Sequence, residues 1–245
     1  MRRRFFVDRF DHQSATLTGD TANHLSRVLR AEPGQLYELS DGASLWLARI
    51  DSVGLVNRGE NRIEFSLVEE LDAPEPGLHL TLLLSLVKFD RFEWALEKST
   101  ELGVTEIIPL TAERTDRPLL ATAEKRYPRW EKILHESAQQ SRRLAPPKLA
   151  PPLRPAKAFA ASEASIKLLL SERREAPNLR TVLAAAPAST QAALAIGPEG
   201  GWTDAELAAA HSAGFAEASL GDQILRTETA VLASLAILQY ALAPS

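Results

Sequence analysis

Two glycine-bearing turns near the carboxyl end, each entered from a short apolar run and each leading into a helix signal, restrict this chain to a layered α/β design. The first is Ile196-Gly197-Pro198-Glu199-Gly200-Gly201-Trp202. The second is Leu220-Gly221-Asp222-Gln223, followed by Ile224-Leu225-Arg226-Thr227-Glu228-Thr229-Ala230 at the head of a long alanine- and leucine-rich helix. Glycine turns freely at positive φ and lets a backbone approach a ligand with no Cβ in between. In open α/β sheets ligands bind beyond the carboxyl ends of the strands, so both turns are expected at one rim, around one shared cleft. Thr203-Asp204-Ala205-Glu206 reads as a capping box, whose first-turn N–H groups are expected to suit an anion, although a cap beside a glycine turn also has a purely structural explanation.

The alternation extends upstream. Residues 78–87 form an unbroken apolar run, the pattern of a strand buried on both faces. A helix follows, with Asp90 as its expected cap, Phe92, Ala95, Leu96, Ser99 and Leu102 at helical spacing, and Gly103 at its end. Residues 104–110 read as a strand. Residues 124–144 read as a longer helix with Pro128 near its start and Trp130, Ile133, Leu134 and Ala138 inward. Residues 146–155 are expected to be extended or looped, 166–170 a strand, and 172–188 a mobile loop. Residues 194–196 and 216–220 then complete a sheet of roughly five or six strands. The first seventy residues differ: short strands at 4–7, 15–18, 35–40, 45–50 and 62–69, with turns at Asp41-Gly42 and residues 57–59, suggest a small β-barrel. One helix interrupts it at 20–29, with Leu25, Val28 and Leu29 expected inward and His24, Arg27 and Arg30 outward. Asp72-Ala73-Pro74-Glu75-Pro76-Gly77 is a stiff polar connection, so two domains are expected, 1–72 and 73–245.

Several chemistries lose their support. Neither glycine turn matches the dinucleotide pattern or the nucleoside-triphosphate loop. The chain has no cysteine, and its five histidines, at 12, 24, 79, 135 and 211, lack metal-ligand spacing, so no metal site is expected. The apolar runs at 78–87 and 230–242 are too short or too interrupted to span a bilayer. The apolar stretch after Arg2-Arg3-Arg4 is too short for a signal peptide, and a soluble, cytoplasmic protein is expected. A net charge of −4 argues against indiscriminate coating of nucleic acid but leaves room for local contacts. Arg2, Arg3, Arg4, Arg9, Arg27 and Arg30 outweigh Asp8, Asp11 and Asp20 in the first thirty residues, as either an RNA-facing patch or a solvated arm.

The pairing of Ile196-Gly197-Pro198-Glu199-Gly200-Gly201 with Leu220-Gly221 and Ile224 to Ala230 resembles the carboxyl-terminal signature of the ribosomal RNA small subunit methyltransferase E family. Further matches run along almost the whole chain: His24 with Val28-Leu29-Arg30, Glu93 with Lys98 and Glu101-Leu102-Gly103-Val104, Glu113-Arg114, and Gln140-Ser141 with Arg143. The resemblance implies a SPOUT-type domain, mostly parallel and tied in a trefoil knot, preceded by a PUA-like β-barrel for RNA. It also implies a homodimer, S-adenosyl-L-methionine as cofactor, and methylation of N3 of uridine 1498 in 16S rRNA within the small ribosomal subunit. On that basis Leu170, Ser171, Ile196, Gly197, Pro198, Glu199, Gly200, Gly201, Leu220, Gly221, Ile224 and Leu225 are expected to hold the cofactor.

A uridine N3 loses a proton when methylated, which makes Glu199 and Glu228 candidate bases and Arg226 a candidate for stabilising charge on the uracil oxygens or gripping a phosphate. Glu228 also suits the N-terminal dipole of the last helix, where Arg226 is positioned to pair with it. Arg2, Arg3, Arg4, His24, Arg27 and Arg30, with Gln140 and Arg143, are the expected RNA contacts. Gln223 stands where the family commonly has arginine, and Gln139, Arg142 and Leu144 replace an acidic residue, glycine and asparagine. A non-enzymatic RNA-binding factor on the same fold is opposed by the intact glycines. A dinucleotide oxidoreductase lacks its phosphate loop.

Overall fold

The computed structural model of the protein describes residues 3–56, 60–74 and 77–244. Its chain divides into two compact units, Met1–Glu75 with Ala138–Pro146, and Pro76–Ser137 with Pro147–Ser245.

In the first unit, β1 (Arg4–Phe6), β2 (Ser14–Leu17), β3 (Leu36–Ser40), β4 (Leu45–Val56) and β5 (Glu60–Leu71) form one sheet in the order β1-β3-β4-β5-β2. Only β1 and β3 run parallel. Register shifts at Leu47/Ala48 and Ile50/Ser52 bend the long β4–β5 ladder. Its core gathers Phe5, Leu17, Leu25, Leu39, Ile50, Ile63 and Phe65. The turn expected at 57–59 lies outside the described residues. Over residues 20–29, α1 (Gly19–Asn23) passes into a π-helical turn, His24–Val28, in which the Leu29 N–H donates to the His24 carbonyl. The wider turn breaks the 3.6-residue phase, so Val28, expected inward, is 65% exposed while Leu25 remains fully buried.

Arg4 also departs from expectation. It stands opposite Glu38 in the parallel β1–β3 register, and its guanidinium lies 3.0 Å from the Glu38 carboxylate. Arg142 closes on the same carboxylate, and the Arg142 carbonyl accepts from Arg4. A guanidinium 7% exposed and satisfied within the chain cannot grip a phosphate as expected.

The second unit carries a fully parallel six-stranded sheet. Its strands are β6 (His79–Ser85), β7 (Glu106–Leu110), β8 (Lys148–Leu149), β9 (Ile166–Leu170), β10 (Gln191–Ile196) and β11 (Ala216–Ala218), in the order β11-β9-β10-β6-β7-β8. The strands are apolar on both faces because both faces are covered. Leu80, Leu82 and Leu84, with Ile166, Leu168, Leu194 and Ile196, meet Phe92 and Leu96 of α2 (Phe89–Glu101), Trp130 and Leu134 of α3 (Arg117–Gln140), and Val231, Leu235 and Leu238 of α7 (Thr227–Leu242). Leu83, Leu169, Ala193 and Ala195 point the other way, onto Phe159 of α4 (Pro155–Ala161), Leu207 and Ala210 of α6 (Asp204–Ser212), and Phe215.

Three local expectations change. Asp90 lies inside the first turn of α2 and Lys88 is the cap residue, without a side-chain capping bond. The long helix α3 starts at Arg117, upstream of the expected 124, and carries Pro128 in its interior. Within residues 172–188, expected as a mobile loop, Asn178 caps α5 (Leu179–Ala184) by accepting from the Arg180 N–H, and Leu179 is buried.

Candidate active site

Strands β9, β10 and β11 end level with one another, because Ile196 and Ala218 are both register partners of Leu170. The three loops beyond them therefore start at one height and enclose a cavity of about 600 Å³. All twelve residues expected to hold a cofactor line it: Leu170 and Ser171 after β9, Ile196 to Gly201 after β10, and Leu220, Gly221, Ile224 and Leu225 after β11.

Glycine is required here for two separate reasons. Gly201 has φ +71° and donates its N–H to the Pro198 carbonyl at 2.8 Å, closing the turn, and Gly221 has φ +114°. Gly197 and Gly200 are limited by space: a Cβ on Gly197 would stand 3.0 Å from the Trp202 ring, and one on Gly200 3.0 Å from the Arg114 Cβ. The turn is clamped from below. Trp202 Nε1 donates to the Leu170 carbonyl at 2.9 Å, joining the β10 loop to the end of β9. The Arg114 guanidinium donates to the carbonyls of Gly200 (3.0 Å) and Trp202 (3.2 Å).

Glu206, 8% exposed, accepts from the Thr203 N–H and the Glu113 N–H, both at 2.9 Å. The capping box forms as expected, with the Glu206 N–H donating to Thr203 Oγ1. The same carboxylate ties the start of α6 to the backbone at Glu113.

Arg91, Arg114, Glu172, Arg173, Glu199, Asp222 and Arg226 are the charged residues that line the cavity, and Glu228 approaches Arg91 from outside that lining. Arg91, in the first turn of α2, is ion-paired with Glu199 of the glycine turn and lies 3.9 Å from the Glu228 carboxylate in the first turn of α7. Arg226 is the N-cap residue of α7; its side chain is exposed and makes no ion pair among the described residues, so the expected Arg226–Glu228 pair gives way to Arg91. The Glu228 Oε2 is buried and accepts no hydrogen bond among the described residues.

Arg91, Arg114 and Trp202 were not among the expected site residues, and all three line the cavity. Arg91 reaches the cavity because it lies in the first turn of the helix after β6, and β6 lies beside β10 in the sheet.

Among the described residues, none of the expected RNA contacts lines this cavity. In the first unit, Arg3, His24, Arg27, Arg30 and Gln140 are exposed, Arg143 is half-buried with burial pulling its pKa down, and Arg2 lies outside the described residues. Among the described residues there is no cluster of three or more His, Cys, Asp or Glu able to hold a metal ion, and no helix long and apolar enough to cross a membrane.

A family model described as RNA methyltransferase domain matches residues 74–239. The ribosomal RNA small subunit methyltransferase E of Synechocystis sp. is 35% identical over 226 residues, covering 91% of this chain and 72% of that protein. The protein of the same name from Mesomycoplasma hyopneumoniae is 31% identical over 230 residues, covering 94% of this chain and 95% of that one. Among solved structures, the chain is similar to a ribosomal RNA small subunit methyltransferase E from Neisseria gonorrhoeae bound to S-adenosyl methionine, with a TM-score of 0.84, 32% identity and 99% of each chain covered.

Proposed function

The chain belongs to the ribosomal RNA small subunit methyltransferase E family, and from that premise we propose that it methylates N3 of uridine 1498 in 16S rRNA with S-adenosyl-L-methionine as methyl donor. The observation that carries this reading is the convergence of three strand-end loops on one cavity, with Gly197 and Gly200 so close to Trp202 and Arg114 that a Cβ would stand only 3.0 Å from them. Such a cradle of backbone suits a nucleoside cofactor, and the Neisseria relative was solved with that cofactor bound. When bound, the cofactor supplies an electrophilic methyl carbon on a sulfonium.

The chain's own residues then hold and align. Backbone groups of Ile196, Gly197, Leu220 and Leu225 hold the adenine and ribose, and Gly200 and Gly201 leave space beside the methionine moiety. Glu228 takes the N3 proton through an oxygen that accepts no hydrogen bond among the described residues, while Arg226 stabilises the charge that develops on the uracil oxygens. The second unit is read as a SPOUT domain with a trefoil knot. Supporting this, β10 is inserted between β6 and β9 although it follows both in the chain. The boundary near residue 72 is kept, with residues 138–146 counted in the first unit: that unit is read as PUA-like and RNA-binding and the second as catalytic, in a cytoplasmic homodimer acting on the small ribosomal subunit. An apolar groove along Leu102, Leu232, Ala233 and Ala236, beside exposed Ile237 and Tyr240, supports the dimer.

Two measurements test the reading. Calorimetric titration should give saturable binding of S-adenosylmethionine, and 16S rRNA from a strain lacking the protein should be missing one N3-methyluridine by mass spectrometry. A full complement of that nucleoside in the deleted strain would exclude the assigned target.

RNA recognition has its own test. Arg27 and Arg30 are exposed on and just after the π-helical turn. Replacing both with glutamine should weaken RNA binding and lower the slope of log affinity against log salt by about 0.7–0.9 for each phosphate that is no longer neutralised, leaving cofactor affinity unchanged. Equal slopes before and after would remove these two arginines from the interface.

A further inference from the structure

We propose that Arg91 and Glu199 together read the amino-acid tail of the cofactor, Arg91 taking its carboxylate and Glu199 its ammonium. This rests on the reading of the cavity as an S-adenosylmethionine site. That cofactor has a nucleoside, which backbone and apolar groups can hold, and a zwitterionic tail, which needs one cation and one anion close together. Among the described residues lining the cavity, Arg91 and Glu199 are the oppositely charged side chains already in contact with each other. The other cations lining the cavity form no ion pair with another residue that lines it, among the described residues. Arg114 spends its guanidinium on the carbonyls of Gly200 and Trp202, Arg173 lies 3.9 Å from Glu175, and Arg226 is exposed.

The pair is built to open. Its side chains are 27% and 46% exposed, so water screens the attraction and the pairing contributes little on its own. A zwitterion entering between them replaces one such pair with two, in a cavity from which it has displaced water. The planar arginine fork matches a carboxylate through two parallel N–H donors. When Glu199 turns to the ammonium, Glu228 remains 3.9 Å from the Arg91 guanidinium and keeps it at the cavity. This gives the Arg91–Glu199–Glu228 cluster a division of labour: Glu199 reads the cofactor, and Glu228 is left for the proton.

The test is calorimetric binding of three probes: S-adenosylmethionine; decarboxylated S-adenosylmethionine, which keeps sulfonium and ammonium; and 5′-methylthioadenosine, which has no tail. Arg91→Met should weaken S-adenosylmethionine by about 10- to 100-fold, abolish its advantage over the decarboxylated analogue, and leave methylthioadenosine within about twofold. Arg91→Lys, which keeps charge without the fork, should fall between. Glu199→Gln should weaken both tailed probes and spare methylthioadenosine. Unchanged melting temperatures establish that the variants are folded, and Arg91→Lys keeps the test open if the methionine variant is not. An equal loss for all three probes in Arg91→Met, or no loss for any, overturns the assignment of the tail while the cofactor reading stands. Loss of RNA affinity with S-adenosylmethionine binding unchanged overturns it in favour of a role at the substrate. Failure of the unaltered protein to bind any of the three sinks the cofactor reading itself.

Discussion

Gly201→Val should abolish measurable S-adenosylmethionine binding, on the order of a 100-fold loss or more, while the protein stays folded. The cause is backbone conformation. A Cβ at this position would meet no atom of the chain nearer than the Arg114 guanidinium at 3.9 Å, so a clash of the Cβ within the chain is not the obstacle. The obstacle is φ +71°, a left-handed conformation that costs an L-residue about 1–2 kcal/mol and is a pronounced outlier for a β-branched one. The chain relieves that cost by reopening the turn closed by the Gly201 N–H and the Pro198 carbonyl. Residues 197–201, which line the cavity, then move together. Gly201→Asn separates conformation from bulk, because asparagine tolerates the left-handed region and should retain much of the affinity that valine loses. The check is calorimetry beside thermal unfolding. Unaltered affinity in Gly201→Val with an intact fold would contradict the role given to this turn.

The cavity was legible in the sequence because its parts are local. A glycine turn after an apolar run and before a helix cap can be read from adjacent residues, and the parallel sheet brings all such turns to one edge. What failed to show in the sequence was tertiary. Arg4 reads as surface charge until β1 is placed parallel to β3, where Glu38 becomes its register partner and Arg142 arrives from far along the chain. Val28 was assigned inward by a 3.6-residue period that the π-helical turn does not keep. The helix α5 carries a short apolar pattern inside a polar, proline-containing stretch, and Leu179 becomes a core residue only because β11 lies close enough for its N–H to reach the Ser219 carbonyl. Arg91 belongs to the same class: only the sheet order, with β6 next to β10, brings the first turn of α2 to the glycine turn.

Glu228→Gln should slow methyl transfer about 10²- to 10⁴-fold in single turnover with both cofactor and RNA saturating, the range expected for loss of a general base. Glutamine has nearly the shape of glutamate and preserves packing in the first turn of α7, where Thr227 is buried beside it. What it removes is the anionic acceptor. Glu199→Gln should behave differently, because Glu199 is committed to Arg91 whereas Glu228 keeps a buried oxygen free of hydrogen bonds among the described residues. If Glu199 serves the cofactor tail, its variant needs more S-adenosylmethionine for saturation and then transfers methyl groups at close to the normal rate. The two carboxylates are therefore separated by which parameter moves: the saturated rate for Glu228, the cofactor concentration for Glu199. A normal saturated rate for Glu228→Gln would leave proton loss from N3 to solvent and to the charge stabilisation assigned to Arg226. A fall in the saturated rate for Glu199→Gln alone would exchange the roles of the two, because both carboxylates flank the same guanidinium and only their rates distinguish the one that touches the reacting base.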